Sequence, residues 1–288
     1  MTQPNVFLAL LVKQKEAVLP LFLDSLNNWD YPKENIFVYI RTNNNTDNTK
    51  GLLEEWIEEY GDKYKGLIYN SEDVPEKVEQ YDVHFWNGER FRVLGKIRQE
   101  SMNQALLTDC EYYFVVDTDN FLFPETLKEL VKLDLPIVAP FLRYAVALGE
   151  NADTPVEAAK REGHMSRYYS NYHDKVDDFG SIIPEDLYYK ILNQEVRGLI
   201  ECMCVHCTYL IKREYLSELT YLEQSDRWEY MVFSNSARDK GITQYLDNRT
   251  IYGVLTLSEN LGASRWWFNY LKNEKNRTEK YKSVTSFT

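Results

Sequence analysis

Residues 110–131 read CEYYFVVDTDNFLFPETLKELV. An apolar and aromatic run stops at Asp117-Thr118-Asp119, and a helical pattern follows, with Pro124 expected at its first position. Aromatic and β-branched residues over five positions are what a buried strand requires. Side chains alternate along a strand, so Asp117 and Asp119 share a side if the strand runs that far. At the carboxyl end of a strand, such a pair reaches the crevice where open α/β sheets bind ligands. Hard divalent cations choose oxygen ligands and often bridge substrate phosphates. The competing reading is local: an Asp-x-Asp-Asn run can cap the following helix.

Outward from this stretch, the chain keeps a strand–helix rhythm up to Tyr144. VFLALLV (6–12), NIFVYIRT (35–42), KGLIYN (65–70), YYFVVDTD (112–119) and LPIVAPFLRY (135–144) read as strands. LPLFLDSLNNW, GLLEEWIEEYG (with Gly51 before it), 91–107 and PETLKELVKL read as helices. This is the pattern of the nucleotide-binding half of a doubly wound fold. Residues 145–184 break the rhythm with a polar, aromatic insertion, expected to be a lid over an acceptor. Order returns in LIECMCVHCTYLIKR (199–213), read as one strand, and in DRWEYMVFSNSARDKG, read as a helix stopped by Gly241. ITQYLDN and YGVLTL follow, and the basic tail from about Glu259 reads as a peripheral helix and a loose end.

The 288 residues carry 33 basic and 45 acidic side chains, a formal net charge of -12. That balance gives no general attraction to nucleic acid or to an anionic membrane, so a nucleotide ligand needs local cations or a metal. The VFLALLV run lacks a basic flank and is too short to span a bilayer, so neither a signal peptide nor a transmembrane segment is expected, and a cytoplasmic location is the default. Four cysteines in a chain this long do not make a disulfide framework. Cys202, Cys204, His206 and Cys207 invite a zinc reading, but on one strand the first three share a face and Cys207 does not, so reduced cysteines are expected. The dehydrogenase reading fails for want of a Gly-x-Gly-x-x-Gly turn after the first strand, and a nucleotidyltransferase lacks its glycine-rich entry loop. The sequence sets no oligomeric state.

Several blocks in order resemble a known family: FLALLVKQKEAVLPLFLDSL, TNNNTDNTKGLLEEW, KIRQESMNQAL, YYFVVDTDNFLFPETLKELV, IVAPFL, YYSNYHD, VHCTYLIKREYL, WEYMVFSNSARDKGI and YLDNRTIYG. Together they resemble a GT-A glycosyltransferase, and most of all the amino-terminal glycosyltransferase domain of procollagen hydroxylysine galactosyltransferases. The likeness covers roughly residues 5–255. It implies a single α/β GT-A-like domain with a mixed central sheet over 1–258, followed by a peripheral segment, 259–288. It also implies transfer of glucose or galactose from a UDP-sugar, with Mn2+ or Mg2+, to a hydroxyl on a protein or glycan, hydroxylysine of a collagen-like protein among them.

The resemblance gives roles to named residues. Asp117 and Asp119 would hold the metal, or one of them a ribose hydroxyl. Asn43 and Asp47 fall in a region near the nucleotide, where amide and carboxylate groups can read a uracil edge or ribose; a polar loop with an Asx turn is the alternative. Lys96 and Arg98 lie two apart on a helix and so point differently; Arg98, whose fork grips phosphate bidentately, is the expected diphosphate ligand. The family's acidic pair falls on Trp228 and Glu229, which makes Glu229 the candidate base, with Asp226 in support if both lie on one helix. As plain helix-start residues, the two acids would instead serve as cap and first-turn charge. Trp228 replaces the first acid, and no His follows His206 where the family pattern expects one. Both departures favour the second reading, a catalytically silent domain that binds UDP or a protein partner.

Overall fold

The structure is a computed structural model that describes residues 3–80, 85–145, 170–177, 183, 187–256, 268–269 and 272–273. Its strands are β1 (Val6–Val12), β2 (Ile36–Thr42), β3 (Gly66–Asn70), β4 (Tyr112–Val116), β5 (Asn120–Leu122), β6 (Ile137–Pro140), β7 (Arg143–Tyr144), β8 (Tyr172–His173), β9 (Leu199–Cys202), β10 (Cys204–Val205), β11 (Thr208–Lys212), β12 (Gln244–Asp247) and β13 (Gly253–Leu255). The helices are α1 (Leu19–Asn27), α2 (Thr49–Tyr60), α3 (Gly88–Leu106), α4 (Thr126–Val131), α5 (Leu187–Leu192), α6 (Arg213–Leu216) and α7 (Glu229–Asp239).

Among the described residues, the main sheet runs β3-β2-β1-β4-β11-β6-β12-β9. β1 to β4 are mutually parallel, β11 is antiparallel to β4 and β6, β12 is parallel to β6, and β9 is antiparallel to β12, so the central sheet is mixed. Helices cover both faces, which is why β1 and β4 are apolar almost without alternation. Leu8 and Leu10 of β1 face one core with Phe22 of α1, Trp56 of α2 and Leu130 of α4. Phe7 and Ala9 face the other, with Met102 of α3 and Phe233 of α7. Phe7 stacks on Phe37, Tyr39 and Tyr113 at centroid distances of 5.5, 5.8 and 6.0 Å. Burying that one ring contributes about 1.5–3 kcal/mol.

Four boundaries differ from expectation. β4 ends at Val116, and the amide of Asn120 donates to the carbonyl of Asp117 at 2.9 Å, so the two aspartates stand on a turn rather than on one strand face. That turn lets the chain re-enter as β5, in a second sheet of order β5-β13-β7. Gly253 permits this pairing: at φ 157° its Cα lies close against the Phe121 carbonyl, where a Cβ would clash. Gly51 lies inside α2, which begins at Thr49, and Pro124 precedes the cap Glu125 of α4. The 199–213 stretch is three strands, not one: it pairs with β12 first, with β8 second and with β4 and β6 last, and Cys207 takes a left-handed φ of 63° at the final bend. Most of the expected lid and of the tail lies outside the described residues; Phe268 is an exception and packs edge-on against Phe123 at 5.0 Å.

Candidate active site

Because β1, β2 and β4 are parallel neighbours, their carboxyl ends open on one edge. The loops 13–16, 43–48 and 117–119 meet there. Asp117 is fixed by its amide, which donates to the Cys207 carbonyl at 2.9 Å, and its carboxylate accepts from Arg98 Nη2 at 3.0 and 3.3 Å. Arg98 comes from α3 and is only 4% exposed; its Nε lies 3.5 Å from Oε1 of Glu229, the first residue of α7. Gly95, one turn before Arg98, lets α3 approach the segment that leads into α7: a Cβ there would stand 2.9 Å from the Tyr221 carbonyl, and 3.5 Å, an ordinary contact, from Glu229 Cβ. Asp119 accepts from Lys15 Nζ at 2.6 Å.

The electrostatics follow from burial. Burial pushes the carboxyls of Asp117 and Glu229 above the usual range, and Arg98 pulls both part of the way back. Burial works against the charge of Lys15, but Asp119 and then Asp117 more than offset it, so the ammonium persists. The site is therefore a string of alternating charge, Lys15–Asp119 and Asp117–Arg98–Glu229, at the mouth of the sheet.

An aromatic row flanks Glu229. His173 and His206 lie 5.1 Å apart, Tyr230 stacks on His206 at 4.5 Å, and Trp228, Phe91 and the half-exposed Trp86 continue the row at 5.2, 6.0 and 6.0 Å. Trp228 therefore packs among rings at the place where the resemblance puts an acid. Burial, then His173 and Arg98, hold the His206 pKa well below its ordinary value, so the ring is neutral. Tyr144 and Tyr172 are described, whereas Tyr168 and Tyr169 lie outside the described residues.

The remaining expected residues are placed as follows. Asn43 donates to its neighbour Asn44 Oδ1 at 2.9 Å within the loop, and Asp47 accepts from the amides of Glu16 and Thr49, both at 3.1 Å, so Asp47 fastens its loop to the one after β1. Lys96 is 63% exposed and pairs with Glu76 at 2.9 Å, away from Arg98. Asp226 is 78% exposed, pairs with Arg92 and precedes α7, so the helical spacing that would set it beside Glu229 does not exist. Cys110, Cys202, Cys204 and Cys207 are free thiols. Sequence reasoning misses Lys15: a lone lysine after β1 carries no motif, and only the parallel pairing of β1 with β4 brings it to Asp119.

Residues 3–151 match the description "Glycosyltransferase family 25, N-terminal domain". The chain belongs to glycosyltransferase family 25. Among similar family 25 proteins, procollagen galactosyltransferase 1-A of Xenopus laevis is 30% identical over 262 residues, covering 88% of this chain and 39% of that one. Inactive glycosyltransferase 25 family member 3 of Homo sapiens is 26% identical over 263 residues, covering 88% and 41%. The chain thus spans about two fifths of the length of the curated relatives it matches. Among solved structures, GalNAc-T7 with UDP, GalNAc and Mn2+ superposes at a TM-score of 0.56, with 11% identity, covering 88% of this chain and 43% of that one. S. aureus TarS 1-349 in complex with UDP-GlcNAc gives a TM-score of 0.50, with 15% identity, covering 88% and 58%. These likenesses show the fold, which is GT-A.

In this family 25 chain, Asp117 and Asp119 offer the hard oxygen donors that Mn2+ or Mg2+ takes. Each already has a cationic neighbour, and among the described residues no group of three or more His, Cys, Asp or Glu could hold an ion alone. The donor set fits a cation that shares its ligands with a bound diphosphate. Arg98 Nη1 and Thr118 Oγ1 are both buried and without a hydrogen-bond partner among the described residues.

Proposed function

We propose that this chain transfers a hexose, glucose or galactose, from a UDP-sugar to a hydroxyl acceptor. The observation that carries the reading is the charge string Lys15–Asp119 and Asp117–Arg98–Glu229 at the carboxyl edge of a GT-A sheet. Arg98 has a guanidinium donor to spare for the diphosphate, and Asp117 and Asp119 would hold Mn2+ or Mg2+ against it. Bound there, the cation supplies positive charge to the leaving diphosphate. Glu229, buried and at a helix start beside the aromatic row, takes the proton of the attacking hydroxyl if the configuration inverts. A collagen-like hydroxylysine acceptor is favoured by the names of the procollagen galactosyltransferases among the relatives.

A second reading is a silent domain that binds UDP or a protein partner. Trp228 at the acid's place favours it, as do relatives named inactive. One experiment separates the two: incubation with UDP-glucose or UDP-galactose and Mn2+, with and without hydroxylysine peptides, reading UDP binding by calorimetry, UDP release and peptide mass. Sugar on peptide supports transfer. UDP binding with no turnover of any donor supports the silent domain, and no UDP binding at all rejects both UDP-binding readings.

A further inference from the structure

We propose that Lys15 is a diphosphate-binding residue held in reserve on Asp119, and that its ammonium passes from that carboxylate to the donor's phosphates when a divalent cation takes Asp119. The inference rests on the donor-site reading above.

Three observations carry it. The first is position. Lys15 follows β1 and Asp119 follows β4, and the parallel pairing of these strands sets Nζ 2.6 Å from Oδ2, with the two side chains 25% and 21% exposed. The pair sits partly buried at the ligand edge of the sheet.

The second is the anchoring of its backbone. Gln14, immediately before it, holds a left-handed φ of 54°, which is costly for a residue other than glycine. The turn is tied down on both sides: Gln14 N donates to Asn45 Oδ1 at 2.9 Å, Lys15 N to Thr49 Oγ1 at 2.7 Å, and Glu16 N to Asp47 Oδ2 at 3.1 Å, while Glu16 Oε2 accepts from Asn48 N at 3.2 Å. The polar run 43–49 thus sets where Lys15 starts, while its four-carbon stem leaves the ammonium free to swing.

The third is charge. Asp117, Asp119 and Glu229 stand against Arg98 and Lys15, three acids to two cations. A diphosphate brings further negative charge and a divalent cation brings positive charge, and the cation's oxygen ligands include the carboxylate that Lys15 now occupies. Like-charge repulsion from such a cation would drive the ammonium off Asp119, and phosphate oxygens bound at this edge would be its new acceptors.

The test is Lys15→Met, which keeps length and removes charge, with Lys15→Arg as a charge-keeping control and melting temperature as the check on folding. Two affinities are read by titration calorimetry: Mn2+ alone, and UDP against uridine at saturating Mn2+. Opposite signs are expected in Lys15→Met. Mn2+ alone binds more tightly, because its competitor is gone. UDP binds at least about tenfold more weakly while uridine is unchanged. Lys15→Arg retains most of the UDP preference over uridine. An unchanged UDP-to-uridine ratio in Lys15→Met overturns the proposal, whatever Mn2+ does, and so does Mn2+ affinity that is unchanged or weaker. A parent protein that binds neither Mn2+ nor UDP overturns the donor-site reading and this inference together. A parent that binds both, paired with a Lys15→Met variant that behaves like it, overturns the role of Lys15 alone.

Discussion

Removing the guanidinium of Arg98 would strand a buried carboxyl, Glu229, and a partly buried one, Asp117, at once. Leaving such a charge uncompensated costs about 3–5 kcal/mol. Arg98→Ala is therefore expected to lower stability by that order at neutral pH and to erase most of the preference for UDP over uridine. The pH dependence has a definite sign. Burial raises both carboxyl pKa values in the fold, and loss of Arg98 raises them further. A raised carboxyl contributes stability below its unfolded pKa and loses it as pH rises through the folded one. Urea denaturation should thus show the variant's deficit shrinking from about pH 8 toward about pH 4. Glu229→Gln tests the base: transfer falls roughly 10²-fold with UDP affinity near that of the parent. The acid limb of the parent's rate profile should lie above the ordinary carboxylate range, because the same burial that raises Glu229 delays its ionisation. Asp226→Asn, on an exposed acid outside α7, should leave transfer near the parent rate, and a loss equal to that of Glu229→Gln would return Asp226 to the site.

At the scale of elements, the site depends on how closely α3 approaches α7. Gly95→Ala improves helix propensity by about 1 kcal/mol. It also drives a methyl to 2.9 Å from the Tyr221 carbonyl and within 3.5 Å of Glu229 Cβ. The expected net result is a loss of about 1–3 kcal/mol in thermal or urea unfolding, with reduced transfer as Glu229 shifts off Arg98. A variant more stable than the parent would show that the Tyr221 carbonyl does not press on Gly95. The loop elements behave differently. Asp47→Ala removes acceptors for the amides of Glu16 and Thr49. Its expected effect is a weaker UDP preference over uridine, through Lys15, while uridine itself binds as before. A parallel loss of uridine affinity would instead mean that Asp47 touches the nucleoside.

For the whole molecule, UDP with Mn2+ should raise the melting temperature, since a ligand at about 100 times its Kd adds about 2.7 kcal/mol to the folded state. Chelator should remove most of the shift, and an equal shift with chelator would remove the cation from the donor site. Much of this architecture could be read in the chain. Strand and helix periods led to an α/β sheet of the nucleotide-binding kind, because local side-chain alternation and propensity decide which segments become strands and helices, and the resemblance of the ordered blocks narrowed it to a GT-A fold. The helical spacing also separated Lys96 from Arg98, since residues two apart on a helix do not share a face, while the preference for Arg98 rested on its forked guanidinium. What local rules could not reach were relations between distant segments. The end of β4 at Val116 depends on the return of β5 to a second sheet, and the break of 199–213 into three strands depends on three different partners. The place of Lys15 beside Asp119, 104 positions away in sequence, depends on β1 and β4 pairing in parallel. Sequence alone determined which segments are buried and where acidic and cationic side chains stand along the chain; only the tertiary structure decided which of those charges face each other, because strand pairing is settled by burial of both sheet faces at once and by no single segment.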